Sequence, residues 1–273
     1  MGKLRSICER TAAWANRLLW GRGLRFRDCI ACVGLIVLAG CFTLVIVPDV
    51  DDEESDWTFP ASRLPAVIID AGHGGRDEGA KSRGVLEKTL TLDVALRLER
   101  ILNMRGFPTV QTRTDDVFIT LPERSTIANR VKGPSVFVSI HFNQGSGKDA
   151  AGIETFYADT KVPLVSDWTW VGFFRRAEPL DTGEELAAEV QYAVILKTGA
   201  KDRGIRARHL YVTRHTMAPA ILVEGGFISN RMESHLLNEG DYANSLAVGI
   251  ADGIEAWWRT QHKGPPPALA QKW

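Results

Sequence analysis

The longest hydrophobic feature of the chain is an uncharged run near its N-terminus. Residues 29–47 are 19 positions without a charged side chain. As an α-helix this run would be about 28 Å long, close to the thickness of the hydrocarbon core of a bilayer. It lacks the polar residues at helical spacing that a surface helix of a soluble domain carries. The pattern therefore predicts a transmembrane helix.

Beyond residue 63 the pattern changes to shorter segments of two types. Apolar residues at helical spacing predict four helices, at 90–102, 122–131, 184–197 and 241–258. Short continuous apolar runs predict six strands, at 66–70, 109–112, 135–141, 153–157, 210–213 and 220–224. Buried strands that alternate with helices indicate a single α/β domain, with a mostly parallel central sheet of about six strands covered by helices on both faces. In such sheets the site lies beyond the carboxyl ends of the strands.

The charges are balanced overall but segregated along the chain. Lys and Arg number 33 and Asp and Glu number 33, so the formal net charge is zero. Residues 1–28 carry seven basic and two acidic groups, whereas residues 49–56 carry six acidic groups and no basic one. Because basic residues accumulate on the cytoplasmic side of membrane helices, the N-terminus is expected in the cytoplasm and the rest outside it. The remainder is nearly neutral, which gives no reason to expect a nucleic acid partner.

These features divide the chain into five expected parts. They are a basic cytoplasmic segment at 1–28, a transmembrane signal anchor at 29–47, an acidic linker at 48–63, a folded domain at 64–260 and a proline-rich tail at 261–273. A second interpretation of the N-terminus stays open, because Leu-Ala-Gly-Cys at 38–41 resembles a bacterial lipoprotein cleavage box in which Cys41 is lipidated. The apolar run continues beyond Cys41, which favours an uncleaved anchor.

The cysteines are confined to the N-terminal part of the chain. All four, at positions 8, 29, 32 and 41, precede residue 42. The exported part therefore has no disulfide framework, and its stability depends on its core and on any bound metal.

Four side chains suited to metal or acid–base chemistry lie at the ends of predicted elements. His73 follows the first strand in a glycine-rich turn, and His141 ends the third strand. Glu224 ends the sixth strand, and Glu87 stands where the first helix begins. Two imidazoles and a carboxylate suit Zn²⁺ with an open position for water, and a further carboxylate can move the proton of that water. Together the four residues predict a zinc site.

Each of these residues alone also has an ordinary structural interpretation. A single histidine at a strand end is usually a turn or core residue. Glu87 alone would be a carboxylate in the first turn of a helix, where the helix dipole stabilises it. Glu224 differs, because a carboxylate after four apolar residues is expected to be buried and to need a partner.

The same segments carry a resemblance to a known family. The sequences Ile-Asp-Ala-Gly-His-Gly-Gly at 69–75, Ser-Ile-His-Phe-Asn at 139–143 and Val-Glu-Gly-Gly-Phe-Ile-Ser-Asn at 223–230 match its motifs in the family's order. Further matching blocks lie at 87–88, 112–116, 121–124, 128–130 and 152–157. From residue 64 to residue 258 the chain resembles the catalytic domain of the zinc-dependent N-acetylmuramoyl-L-alanine amidases, the amidase 3 family.

The resemblance implies a function and a role for each candidate residue. His73, Glu87 and His141 would hold one Zn²⁺ per catalytic domain, and Glu224 would be the catalytic carboxylate. The implied activity is hydrolysis of the amide between N-acetylmuramic acid and L-alanine in peptidoglycan. The implied location is the inner (cytoplasmic) membrane of a bacterium, crossed once, with the catalytic domain in the periplasm or otherwise outside the membrane. Peptidoglycan, the membrane and an activator protein are the expected partners.

Several alternatives stay open at this point. The domain would be a catalytically silent peptidoglycan-binding or regulatory module on the same fold, or a zinc hydrolase of another peptide or N-acyl amide. The segment 158–182, rich in aromatic residues, would pack over the domain edge, contact glycan or membrane, or block the site. Arg113 and Arg124 would bind carboxylates of the stem peptide or form structural ion pairs. Asp70 is expected to orient one of the metal ligands.

Overall fold

Apolar strands and amphipathic helices alternate along the chain and assemble into a layered α/β fold. The computed structural model describes residues 56–59, 64–145, 147, 149–159 and 183–262. The strands of these residues are β1 (Trp57–Thr58), β2 (Ala66–Ala71), β3 (Lys81–Ser82), β4 (Val85–Leu86), β5 (Thr109–Gln111), β6 (Val131–Lys132), β7 (Ser135–Asn143), β8 (Ile153–Ala158), β9 (Asp202–Arg208) and β10 (Ala220–Phe227). The helices of the same residues are α1 (Glu87–Met104), α2 (Leu121–Arg130), α3 (Glu184–Thr198), α4 (Tyr211–Arg214), α5 (Arg231–Leu237) and α6 (Gly240–Gln261).

Six of these strands form the central sheet, in the order β5–β2–β7–β10–β8–β9. Strands β5, β2, β7 and β10 run parallel to one another, so their carboxyl ends lie together at one end of the sheet. Strand β8 is antiparallel to β10, and β9 is parallel to β8. The predicted α/β domain with a mostly parallel six-stranded sheet is confirmed. The reversal of β8 brings its amino end to the same end of the sheet as the carboxyl ends of β7 and β10.

Helices cover both faces of the sheet, as predicted. Successive side chains of a strand point to opposite faces, and β2 shows this alternation clearly. Ile69 packs into a core cluster with residues of α1, α3 and α6. Its neighbour Ile68 packs into a second cluster that contains Ala128 of α2 and Val212 of α4. Three long helices therefore cover one face, and two shorter helices cover the other.

The boundaries of the first two helices follow from local sequence. Glu87 is the first residue of α1 and Met104 is the last. The chain then turns away at Gly106, whose φ of 84° suits glycine. Helix α2 has a capping box: Thr120 accepts a hydrogen bond from the main-chain N–H of Glu123, whose side chain accepts from that of Thr120. Pro122 occupies the first turn, where its missing N–H costs nothing.

One predicted strand is wrong, and one strand of the sheet is missing from the prediction. The run at 210–213 lies mainly in helix α4, because a short apolar segment suits a buried helical turn as well as a strand. The sixth strand of the sheet is instead β9, which is mostly exposed and carries arginine at positions 203, 206 and 208. Strand β9 lies at the edge of the sheet, where charged residues are common, so apolar patterning does not reveal it.

Several predictions fall outside the described residues. They concern the basic segment at 1–28, the membrane helix at 29–47 with Cys41, most of the linker at 48–63, residues 160–182 and the tail from 263 onward. Among the residues that the structure does describe, no helix has the length and apolar character needed to cross a membrane.

Helices α3 and α6 approach each other closely through two glycines of α6. A Cβ atom added at Gly249 would lie 2.7 Å from Cα of Val194, and one at Gly253 would lie 2.4 Å from Cα of Val190. Both distances are too short for carbon atoms in contact. The main chains of the two helices therefore meet only because these positions lack side chains.

We expect Gly253→Ala to lower the free energy of unfolding by about 1–3 kcal/mol, because the added methyl group forces the two helices apart. Helix propensity alone favours alanine by about 1 kcal/mol and would give the opposite sign. The matched control is Gly240→Ala, where the added Cβ would meet only the flexible end of Arg97 at 3.4 Å. Urea unfolding distinguishes the two, and equal stability of both variants would contradict the expected result.

Candidate metal centre

The candidate residues converge at the end of the sheet where the parallel strands finish. His141 lies in β7 and is the register partner of Glu224 in the neighbouring strand β10. Glu224 is in turn paired with Glu154 of β8 on its other side. His73 is the second residue after β2, and Glu87 is the first residue of α1. Elements distant in sequence thus bring all four predicted residues to one place.

His73, Glu87 and His141 form a compact group that can hold a metal ion. One nitrogen or oxygen atom from each of them lies within 4.8 Å of the others. His73 Nε2 is 3.1 Å from Glu87 Oε2, and His141 Nδ1 is 2.9 Å from Glu87 Oε1. Two imidazoles therefore face one carboxylate, which is the arrangement that the sequence predicts.

Glu87 is buried, and its negative charge is compensated from several directions. Its Oε2 accepts a hydrogen bond from the main-chain N–H of Ala80 at 2.7 Å, and its Oε1 accepts one from that of Phe142 at 3.0 Å. Burial alone would raise the pKa of Glu87. The hydrogen bonds and positive charge of His141 and His73 outweigh burial and hold that pKa well below its usual range. Glu87 is therefore an anion at neutral pH.

The loop after β2 packs too tightly around this group to carry side chains at its glycines. A Cβ atom added at Gly72 would lie 2.4 Å from Cε1 of His141. One at Gly79, whose φ is +67°, would lie 2.6 Å from Oε2 of Glu87. The glycines thus let the main chain enclose the group of His73, Glu87 and His141, which explains the glycine-rich sequence next to His73.

Glu224 lies beside this group but is not bonded to it. Its Oε2 is shielded from solvent and has no hydrogen-bond partner among the described residues. Burial raises the pKa of Glu224 to about 7, and the negative charges of Glu87 and Glu154 add to that rise. The positive charges of His141 and His73 offset only part of it. Glu224 is thus able to exchange a proton near neutral pH, whereas Glu87 is not.

Comparison with known sequences now decides the family. A family model described as N-acetylmuramoyl-L-alanine amidase matches residues 67–256. The chain belongs to the N-acetylmuramoyl-L-alanine amidase family. N-acetylmuramoyl-L-alanine amidase LytC of Bacillus subtilis (strain 168) is 32% identical over 193 residues, which are 71% of this chain and 35% of LytC. The endolysin of Bacillus phage SPP1 is 36% identical over 191 residues, which are 69% of this chain and 64% of the endolysin.

Solved structures of the amidase family share the fold. An N-acetylmuramoyl-L-alanine amidase from Clostridium difficile 630 matches with a TM-score of 0.63 and 34% identity, covering 74% of this chain and 100% of that one. The CwlD amidase from Clostridioides difficile, in complex with the GerS lipoprotein, matches with a TM-score of 0.61 and 26% identity. The match covers 72% of this chain and 99% of the CwlD chain. The resemblance found in the sequence is confirmed. The matched region is less than two thirds of LytC and of the SPP1 endolysin.

One residue that the sequence analysis missed contacts a histidine of this amidase-family site. Asp77 Oδ2 lies 2.9 Å from Nδ1 of His73, and Asp77 Oδ1 accepts a hydrogen bond from the main-chain N–H of Gly79 at 3.1 Å. Because Asp77 holds the proton on Nδ1 of His73, Nε2 on the side of Glu87 is the nitrogen that would lose its proton and offer a lone pair to a metal ion. The only sequence signal is a carboxylate four residues after the histidine in a glycine-rich loop.

Asp70, expected to orient one of the metal ligands, hydrogen-bonds to none of His73, Glu87 and His141 among the described residues. Its Oδ1 accepts hydrogen bonds from Arg124 at 2.6 Å and from Thr112 at 2.7 Å. Its Oδ2 accepts one from Ser139 at 2.7 Å. Asp70 is thus a buried partner for Arg124, and Asp77 takes the place beside His73.

We expect Asp77→Asn to weaken Zn²⁺ binding by about 10- to 100-fold, because the amide no longer fixes the tautomer and orientation of His73. The matched control is Asp93→Asn, since Asp93 also pairs with a residue four positions away and both carboxylates are 45% exposed. Competition with a chelator measures the dissociation constants. Equal affinity of the two variants would rule out an orienting role for Asp77.

The raised pKa of Glu224 predicts that the free energy of unfolding of the metal-free protein depends on pH. The folded state binds the proton of the Glu224 carboxyl group more tightly than the unfolded chain does. The stability that this proton contributes is fully present below pH 4.5 and is lost as pH rises through about 7. Glu224→Gln has no such proton. The variant should therefore gain stability relative to the unchanged protein between pH 5 and pH 8, measured by urea unfolding with a chelator. A difference that does not change with pH would contradict this expectation.

Proposed function

We propose that this chain is a zinc-dependent N-acetylmuramoyl-L-alanine amidase that cleaves the amide between N-acetylmuramic acid and L-alanine in peptidoglycan. The observation that carries the proposal is the group of His73, Glu87 and His141 beside the buried carboxylate of Glu224, within a domain of this family. In the proposal the first three residues are the metal ligands and Glu224 is the catalytic residue.

The donor set suits Zn²⁺. Two histidines and one glutamate with an open fourth position are a common ligand set of catalytic zinc. The anionic state of Glu87 and the Asp77 contact of His73 both favour cation binding. Bound Zn²⁺ supplies Lewis acidity at the amide carbonyl and lowers the pKa of a water molecule.

The protein's own residues supply the proton transfers. Glu224 Oε2 has no other hydrogen-bond partner among the described residues, so it is available to a water molecule in the site. In the proposal Glu224 accepts a proton from the attacking water and returns it to the nitrogen of the leaving L-alanine as the carbon–nitrogen bond breaks. Glu87 does not take this role, because its pKa is held well below neutral.

The location of the enzyme follows from the same proposal. We propose that residues 29–47 anchor the chain in the inner membrane of a bacterium and that the amidase domain lies outside it, in the periplasm or its equivalent. The support is the length of the uncharged run and the position of the basic residues before it. Lipidation of Cys41 after cleavage is the alternative form of the same anchor.

A partner protein is part of the proposal for regulation. The CwlD amidase, which shares the fold, forms a complex with the lipoprotein GerS. We propose that this chain likewise binds a partner protein at its catalytic domain, and that this partner activates it.

The direct test uses the full chain in detergent with Zn²⁺ and purified peptidoglycan, with the products analysed by mass spectrometry. We expect free stem peptides with a new L-alanine amino terminus, and no release after chelation. Glu224→Ala should reduce release by about 10²- to 10⁴-fold while zinc stays bound, because only the proton transfer is lost.

The outcomes separate the proposal from its alternatives. Zinc loss in Glu224→Ala would show that the ligand and catalytic roles are misassigned. Bound zinc without peptide release, even when cell extract is added to supply an activator, would favour another amide substrate. Neither zinc nor release would favour a silent peptidoglycan-binding module.

A further inference from the structure

His73 differs from the other two proposed ligands in how the fold supports it. His141 lies within strand β7, and Glu87 lies in the first turn of helix α1, so regular main-chain hydrogen bonds fix both. His73 lies in a loop, and its φ of 59° falls in the left-handed region that side chains disfavour. Other contacts must therefore hold its main chain in place.

Arg124 supplies some of these contacts. Its guanidinium is 3% exposed, and its Nη2 donates a hydrogen bond to the carbonyl oxygen of His73 at 2.7 Å. Its Nη1 donates to the carbonyl of Ala71 at 2.7 Å and to the carboxylate of Asp70 at 2.6 Å. Arg124 thus spans the end of β2 and the ligand-bearing loop.

Arg113 supplies the others and joins the loop to helix α1. Its Nε donates to the carbonyl of Ala71 at 2.9 Å. Its Nη2 lies 2.9 Å from the carbonyl of Gly72 and 2.8 Å from that of Lys88 in the first turn of α1. The hydroxyl of Thr91, also in α1, donates to the same Gly72 carbonyl at 2.7 Å.

We infer that Arg113 and Arg124 are positioning residues of the metal centre, which together bind the consecutive carbonyls of residues 71–73 and hold His73 against Glu87. The planar guanidinium fork suits this task, because it reaches several carbonyl oxygens at fixed angles. The inference rests on the proposed function, since it holds that these contacts serve metal binding. Of the two interpretations of these arginines, the structural one fits Arg124, which forms a buried ion pair with Asp70. Both arginines are buried and donate to main-chain carbonyls of the protein itself, which leaves them poorly placed to bind a stem-peptide carboxylate.

The test compares three variants of the full chain in detergent. Arg113→Lys keeps the charge but loses the fork, and Thr91→Val removes a single hydroxyl from the link between the loop and α1. The matched control is Thr216→Val. Thr216 is buried, and its hydroxyl also donates to a main-chain carbonyl at 2.7 Å, which is that of Val212 in helix α4. For each variant, the dissociation constant for Zn²⁺ is measured by chelator competition and the melting temperature is measured without zinc.

A positioning role predicts that Arg113→Lys and Thr91→Val each raise the zinc dissociation constant at least tenfold. Thr216→Val should leave that constant unchanged even if it lowers the melting temperature as much. Should Arg113→Lys fail to fold, Thr91→Val decides alone.

Two results would overturn the inference, and they differ in meaning. Zinc affinity unchanged in Thr91→Val and Arg113→Lys, with melting temperatures lowered, would make the network purely structural and leave the proposed metal site intact. Absence of zinc binding in the unaltered chain would remove the metal assignment itself, and the positioning role with it.

Discussion

A carboxylate buried away from water must be compensated, and the centre of this molecule is built around one. Glu87 is the first residue of helix α1, and the loop after β2 and the strand β7 each contribute groups that stabilise its charge. Removing any of these groups would leave a buried anion less fully compensated, which is costly. The first turn of α1, the loop after β2 and the end of β7 are therefore fixed relative to one another by electrostatics as well as by packing.

The register of the sheet places the second carboxylate. Glu224 is opposite His141 in the parallel pairing of β10 with β7, and opposite Glu154 in the antiparallel pairing with β8. A shift of one residue in β10 would turn Glu224 to the other face of the sheet. Two carboxylates with opposite pKa shifts thus arise from one scaffold. Hydrogen bonds with His141 and His73 outweigh the effect of burial on the pKa of Glu87, whereas Glu224 lacks such bonds and burial dominates its pKa.

The sequence was sufficient for those parts of the site that depend on local pattern. His73, His141 and Glu224 stand at the ends of apolar runs, and the structure brings them to one end of the sheet. Asp77 was missed because its contact with His73 depends on the left-handed conformation of the loop, which no periodic pattern encodes. The role of Arg113 remained open for a similar reason, since its partners are main-chain carbonyls distant in sequence.

In the fold as a whole, the pattern succeeded for buried elements and failed at the periphery. Strands β2, β7 and β10 are mostly apolar and mostly buried because helices cover both faces of the sheet. Strand β9 is recognised only by its place beside β8, and the run at 210–213 is helical because of what it packs against. For β9 and for the run at 210–213, the tertiary surroundings decide between strand and helix, and composition does not.

The reversal of β8 and β9 relative to the other four strands of the sheet has a consequence for the segment that follows β8. Because β8 runs against β10, the chain leaves β8 at the end of the sheet remote from the metal centre. It re-enters the described structure at Gly183, where an added Cβ would lie 2.6 Å from the carbonyl oxygen of Ala220, the first residue of β10. Glu224 is four residues further along that strand, about 13 Å away at roughly 3.3 Å per residue. The described residues on either side of 160–182 therefore lie at the end of the sheet opposite to the one that carries the proposed ligands.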